Sequence, residues 1–371
     1  MSRDERRAGK RRPTPGRLVL EDGAVFPGIS FGAAVPAAGE VVFTTGMVGY
    51  PEALTDPSYR GQILTFTYPS IGNYGIPSFN AGRLGDLTER PLESGRIHAA
   101  GLVCTSYSEE FSHHTAGASL GDWLGAQGVP GLTGVDTRAL TKRIRVAGAL
   151  LGRIEIEGRA VPAFDDPNVR NLVGEVSTRE VCRFGKGGVP VILIDCGRKN
   201  NQIRLLLSMG AEVRVVPWDH DLGGRGRDYA GVVISNGPGD PRLAARTIET
   251  ARTLMRRRVP ILGICLGHQI LALAAGASTY KMKFGHRAHN QPCVDSRDGR
   301  CFQTSQNHGY GVDGRTLPSG WREWFVNAND GTNEGIRHER GPWRSVQFHP
   351  EAAPGPTGTE WILEEFLAEI R

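Results

Sequence analysis

The sequence contains no apolar run approaching the roughly 18 residues a membrane-spanning helix needs, so no helical membrane anchor is expected. Its six cysteines (104, 182, 196, 265, 293 and 301) form no C-x-x-C pair and keep no regular spacing. A disulfide framework or a zinc site is therefore not expected, and a reducing, cytoplasmic setting fits. There is no G-x-x-x-x-G-K-[ST] phosphate loop and no internal repeat, which removes P-loop ATP chemistry and solenoid architectures. Excess charge is also missing once one segment is set aside. The formal net charge is +5, but Arg3, Arg6, Arg7, Lys10, Arg11 and Arg12 outnumber Asp4 and Glu5 by four within the first twelve residues. The remaining body is close to neutral, so no nucleic-acid surface is expected. Residues 1–16 read as a disordered basic tail. Its acidic residues and missing apolar face argue against a targeting peptide.

What is present is an ordinary globular composition, 39% hydrophobic and 22% charged over 371 residues, long enough for two domains with separate cores. The glycine-rich stretch 183–188 marks the expected linker. After it, short apolar runs alternate with helical patterns. Strands are expected at 189–195, 212–217, 231–234, 259–262 and 344–348, with helices near 200–209, 243–257, 266–275 and 360–370. That alternation predicts a doubly wound, mostly parallel α/β sheet, flavodoxin-like, with ligands bound at the strands' carboxyl ends.

One of those strand ends carries Gly263-Ile264-Cys265-Leu266-Gly267-His268-Gln269. A cysteine at a one-residue corner between strand and helix is exposed above the sheet, with a helix N-terminus beneath it that favours the thiolate. The flanking glycines permit close packing at the bend. An isolated G-x-C-x-G is as often a buried structural cysteine as a nucleophile. Here two further elements accompany it. His349-Pro350-Glu351 follows the strand expected at 344–348 and offers a base with a carboxylate to orient it. Ser235-Asn236-Gly237-Pro238-Gly239-Asp240-Pro241 follows the strand 231–234 and can bring backbone N–H groups to an oxyanion.

Together these three elements resemble the class I (triad) glutamine amidotransferases. The resemblance implies that Cys265 is the nucleophile, His349 the general base and acid, and Glu351 the orienting carboxylate. It implies an oxyanion hole at the N–H groups of Leu266 and Gly237, and glutamine contacts at Ser58, Gly237, Gly239, Leu266, Gln269, Asn307, Gly309 and Tyr310. Tyr310 stands where many relatives have Phe.

Residues 17–182, read alone, are a strand-rich α/β domain with glycine-punctuated turns. Four of its segments resemble the N-terminal domain of the small subunit of carbamoyl-phosphate synthase: Gly39-Glu40-Val41-Val42-Phe43, Gly49-Tyr50-Pro51-Glu52-Ala53-Leu54-Thr55-Asp56-Pro57-Ser58-Tyr59, Thr67 to Gly75, and Gly134 to Thr141. Ser305 to Gly311 matches that family's glutamine-site loop. The domains expected are then the small-subunit N-terminal domain over 17–182 and the amidotransferase domain over 189–371.

The resemblance implies hydrolysis of glutamine to glutamate and ammonia, which passes to a large synthetase subunit. That partner would bind ATP, a divalent metal and bicarbonate, and would make carbamoyl phosphate for arginine and pyrimidine synthesis. No cofactor and no metal are expected in this chain. The chain ends soon after Phe366, and we expect a free-standing subunit of a heterodimer, open to further assembly. Two alternatives remain at this point: a glutaminase subunit of another amidotransferase (anthranilate or guanylate type), and a catalytically silent regulatory homologue.

Overall fold

The computed structural model describes residues 14–78, 92–222 and 228–371. Seven strands close a barrel: β1 (Thr14–Leu20), β2 (Val25–Gly32), β3 (Ala37–Thr44), β4 (Gln62–Phe66), β5 (Gly101–Val103), β6 (Pro130–Thr133) and β7 (Leu150–Ile156), in the order β1-β7-β3-β4-β5-β6-β2. Adjacent residues on these strands enter different cores, as the two-residue period of a strand dictates. Val41, Ile63, Val103, Leu132 and Ile154 share one buried cluster. Val42, Leu64 and Leu102 belong to a second, with Leu120 and Leu124 of the helix Leu120–Ala126.

A ten-stranded sheet forms the second half. Its strands are β8 (Cys182–Phe184), β9 (Val189–Asp195), β10 (Ala211–Pro217), β11 (Gly231–Ile234), β12 (Ile261–Ile264), β13 (Ser278–Asp295), β14 (Cys301–Asp313), β15 (Trp321–Asn327), β16 (Asn333–His338) and β17 (Trp343–Val346), in the order β8-β10-β9-β11-β12-β17-β16-β14-β13-β15. Strands β10, β9, β11, β12 and β17 run parallel. Helices Asn200–Ser208, Ala245–Arg256, Leu266–Ala275 and Trp361–Ile370 belong to this half. Ile192, Ile194, Val232 and Ile234 face one buried cluster, while Val191, Leu193, Val233 and Leu262 face the other.

Several boundaries differ from expectation. β1 begins at Thr14 and pairs with β2, so residues 14–16 are strand; the rest of the basic tail lies outside the described residues. The segment 183–188 is not where the barrel ends. β7 closes at Ile156, and Cys182–Phe184 already pairs antiparallel with β10, because this short alternating segment finds an open sheet edge. The parallel half is extended by antiparallel strands β13 to β16, whose polar residues hid them. Ser305 to Gly311, expected as a loop, lies within β14 and pairs with β13.

Candidate active site

β12 ends at Ile264, and the helix Leu266–Ala275 starts one residue later. Cys265 makes the corner at φ 54°, a left-handed conformation that a non-glycine residue holds only under constraint. Its N–H donates to the Val346 carbonyl of the neighbouring strand at 2.8 Å. Both flanking glycines are required. A Cβ on Gly263 would lie 2.4 Å from the Gly267 carbonyl oxygen, and one on Gly267 would lie 2.1 Å from that of Ile234. The Cys265 thiol donates to the Asn307 carbonyl at 3.7 Å.

His349 follows β17 and is bridged to Ser305 of β14. Its Nδ1 donates to Glu351 Oε1 at 2.7 Å. Its Nε2 is buried without a hydrogen-bond partner of ordinary geometry, and the Cys265 side chain is near enough to favour the charged ring. Burial opposes charge on both His349 and Glu351, yet their mutual attraction wins. The imidazole is held well above its usual range and the carboxylate below its own. An imidazolium and a helix N-terminus thus face the sulfur, the surroundings in which nucleophilic thiolates occur.

Glu351 has two further neighbours that the sequence did not single out. Gln202 Nε2 donates to its Oε1 at 3.2 Å, and Lys199 Nζ lies 3.7 Å from the same oxygen. Lys199, only 2% exposed, also donates to the Ala352 carbonyl. Both residues follow β9, whose carboxyl end was the available signal.

The remaining expected site residues converge on one cleft, which Ser58, Gly237, Gly239, Cys265, Leu266 and Gln269 line together with Asn307, Gly309 and Tyr310. The Leu266 N–H opens its helix and has no partner within it. Gly237 approaches the Cys196 carbonyl so closely that a Cβ would fall 2.0 Å from it. Gln269 Nε2 donates to the Tyr310 carbonyl at 2.8 Å and to Gln347 Oε1 at 2.9 Å, so its amide nitrogen shapes the cleft wall. The Tyr310 hydroxyl donates to Asn168 Oδ1 at 3.3 Å, a role for the ring that Phe could not fill.

Ser58 comes from the barrel half, on the short helical turn Pro57–Tyr59 that Asp56 caps. Asp56 joins the two halves. Its carboxylate accepts from the Ser58 N–H (2.9 Å), from Asn236 Nδ2 (3.3 Å) and from Asn307 Nδ2 (3.0 Å). Asn236 Nδ2 also donates to Ser58 Oγ at 2.9 Å.

Among the described residues, His286, His308 and Glu334 place three ligand-type atoms within 4.8 Å of one another. Most of their polar atoms engage protein groups, and Glu334 Oε2 is buried without a partner. His286 bonds to Glu334 (3.2 Å) and Asp330 (2.8 Å), and His308 Nδ1 donates to the Tyr310 carbonyl at 2.8 Å. The cluster braces the strand that carries Asn307. No described helix is long and apolar enough to cross a membrane.

Two family models match this chain: glutamine amidotransferase class-I over residues 192–369, and the carbamoyl-phosphate synthase small chain, CPSase domain, over residues 18–154. The multifunctional protein pyrABCN of Emericella nidulans is 50% identical over 387 residues, covering 95% of this chain and 17% of that protein. The multifunctional protein pyr1-3 of Dictyostelium discoideum is 49% identical, covering 96% of this chain and 17% of that protein. The human protein named carbamoyl-phosphate synthase [ammonia], mitochondrial, is 50% identical, covering 95% of this chain and 24% of that protein. The chain therefore spans a quarter or less of the length of these relatives.

Proposed function

The chain belongs to the carbamoyl-phosphate synthase small-chain family, with a class I glutamine amidotransferase domain, and on that premise we propose that it hydrolyses L-glutamine to supply ammonia for carbamoyl phosphate synthesis. The observation that carries this reading is the strained corner at Cys265 facing the His349–Glu351 pair.

The Cys265 thiolate attacks the side-chain amide carbon of glutamine, and the oxyanion forms against the N–H groups of Leu266 and Gly237. Such preset donors are each worth on the order of 10²–10³ in rate. His349 gives its proton to the departing ammonia. It then takes a proton from water, which cleaves the γ-glutamyl thioester to glutamate and restores the thiol. Glu351 fixes the imidazole so that Nε2 faces the sulfur.

Ammonia then passes to a synthetase region that binds ATP, a divalent metal and bicarbonate, which we take to be a separate large subunit forming a heterodimer with this chain in the cytoplasm. Carbamoyl phosphate made there would serve arginine and pyrimidine synthesis. The match over residues 18–154 favours this partner over those of anthranilate or guanylate synthesis. The assembled Cys265, His349 and Glu351 speak against a silent regulatory homologue. The intermediate provides the test: acid quenching during turnover, followed by peptide mass spectrometry, should find a γ-glutamyl adduct on the peptide carrying Cys265. Accumulation of glutamate with no adduct there, and undiminished in Cys265→Ala, would overturn the proposal.

A further inference from the structure

His286 of β13 and His308 of β14 stand directly opposite each other in the antiparallel register, each one residue from Arg287 or Asn307 of the cleft. Successive side chains of a strand point to opposite faces, so the two imidazoles turn away from that pair. Their rings meet edge to face with centroids 5.1 Å apart. Glu334 of β16 reaches the same place, and the three residues bring ligand-type atoms within 4.8 Å of one another. All three are buried, Glu334 completely. The proposed hydrolysis uses none of them.

Hydrogen bonding fixes which nitrogen of each ring faces the cluster. His308 Nδ1 donates to the Tyr310 carbonyl at 2.8 Å. Burial keeps this ring neutral, so its Nε2 carries a lone pair rather than a proton. Facing that lone pair at 3.1 Å is Gln306 Oε1. The Gln306 amide nitrogen is turned the other way, toward Thr304 Oγ1 (3.1 Å) and Cys293 Sγ (3.3 Å). Glu334 Oε1 lies 3.9 Å from the same His308 Nε2. Acceptors therefore converge there with no proton between them, a costly arrangement in a dry interior. His286 Nε2 is held by Asp330 Oδ2 at 2.8 Å, and its Nδ1 faces Glu334 Oε1 at 3.2 Å. The second Glu334 oxygen, Oε2, is buried with no partner. A metal-binding histidine ordinarily engages a carboxylate or a carbonyl through its far nitrogen, and both rings are held in that way. The separations of 3.1, 3.2 and 3.9 Å bracket the edge of about 3.3 Å in a tetrahedron whose ligands stand ~2.0–2.1 Å from zinc.

We propose that His286 Nδ1, His308 Nε2, Gln306 Oε1 and the Glu334 carboxylate form a four-coordinate site for a divalent transition ion of the zinc type. Two imidazoles select such an ion over magnesium or calcium, which take six or more ligands, chiefly oxygens. The carboxylates of Glu334 and Asp330 match its two positive charges, and on entry it displaces the proton that His286 Nδ1 shares with Glu334. Asp330, whose side chain is 41% exposed, marks the way in from solvent, beside the turn between β15 and β16. The ion ties β13, β14 and β16 together behind Asn307 and takes no part in the chemistry at Cys265.

The experiment takes the full chain without an affinity tag, strips it with a chelator, and titrates it with zinc chloride by calorimetry and with cobalt chloride by visible absorption. One equivalent of either metal should bind, and the cobalt form should show the intense d–d bands of tetrahedral coordination. Saturating zinc should raise the melting temperature by about 5 °C. Cys265→Ala should bind as the native chain does, which separates this site from the Cys265–His349 pair. Asp330→Asn changes only the partly exposed carboxylate that orients His286 and should weaken binding roughly ten- to a hundredfold. Glu334→Gln removes a charged ligand and should weaken it further; the native titration and Asp330→Asn carry the test should that variant fail to fold. Binding of neither metal, affinity unchanged in Asp330→Asn and Glu334→Gln, or loss of binding in Cys265→Ala would overturn the proposal.

Discussion

The two ends of the cleft are built in different ways. At the reacting end, Cys265, His349 and Glu351 all belong to one domain, at the carboxyl ends of the neighbouring parallel strands β12 and β17. Their placement follows from backbone geometry: the corner at Cys265, its N–H bonded to Val346, and the short step from β17 to His349. At the recognising end, the residues come from both domains and meet through side chains. Asp56 and Ser58 on the barrel side meet Asn236 and Asn307 on the sheet side. On the proposed reading the chemistry is complete within one domain, whereas binding a substrate requires the two domains to hold their relative position. A partner that shifts one domain against the other would then alter affinity for glutamine without touching the triad.

The contrast breaks most visibly at the reacting end. His349→Asn should abolish detectable glutamine turnover, because the proton transfers have no other carrier. Glu351→Gln should leave a measurable remainder, since the carboxylate orients and charges the imidazole without itself exchanging protons. Steady-state glutamate release checks both, and equal losses would mean that the carboxylate does more than orient. At the recognising end, Asp56→Ala removes an acceptor shared by three donors from both domains. Hydrogen bonds to charged groups are worth about 1.5–3 kcal/mol each. KM for glutamine should therefore rise roughly ten- to a hundredfold, with kcat changed far less. A fall in kcat at constant KM would erase the distinction between the two ends.

A smaller effect concerns stability against pH. His349 has a raised folded value, so its stabilising contribution is complete below the unfolded imidazole value and is lost as pH rises through the folded one. Glu351 has a lowered folded value, so its contribution is present above the unfolded carboxylate value and is lost as pH falls through the folded one. Denaturant melts of the native chain should show a plateau between the unfolded carboxylate and imidazole values, 4.5 and 6.5, with a fall on the acid side and one that begins near neutrality on the alkaline side. Glu351→Gln removes the partner that raises His349, so the alkaline fall should shrink, by on the order of 1–2 kcal/mol. An unchanged alkaline limb would mean that His349 is not charged beside Cys265.

The same division governs what could be read in the sequence. The reacting end was legible because its parts are local: a G-x-C-x-G corner after an apolar run, and His349 two residues from Glu351. The recognising end was legible only through resemblance, and then only in part. Asp56 and Asn307 are 251 positions apart, and no periodicity links them. Arg287, Glu40 and Lys199 are buried charges, which composition assigns to the surface. Strands β13 and β14 carry His286, Arg287 and His308 inward, so their polar residues looked like a loop. The barrel could be called strand-rich, but its closure depends on the pairing of β1 with β7, more than 130 residues apart.

On the proposed reading Cys265 serves glutamine hydrolysis alone, and a partition experiment on Cys265→Ala separates that role from any other. The exchange removes a single sulfur from a corner held by backbone bonds, so folding and partner assembly should survive. The variant, assembled with the synthetase and supplied with ATP, a divalent metal and bicarbonate, is assayed for carbamoyl phosphate from glutamine and from ammonium salts in parallel. Synthesis from glutamine should be lost completely, with synthesis from ammonium retained. Loss of both activities, or of neither, would contradict that reading.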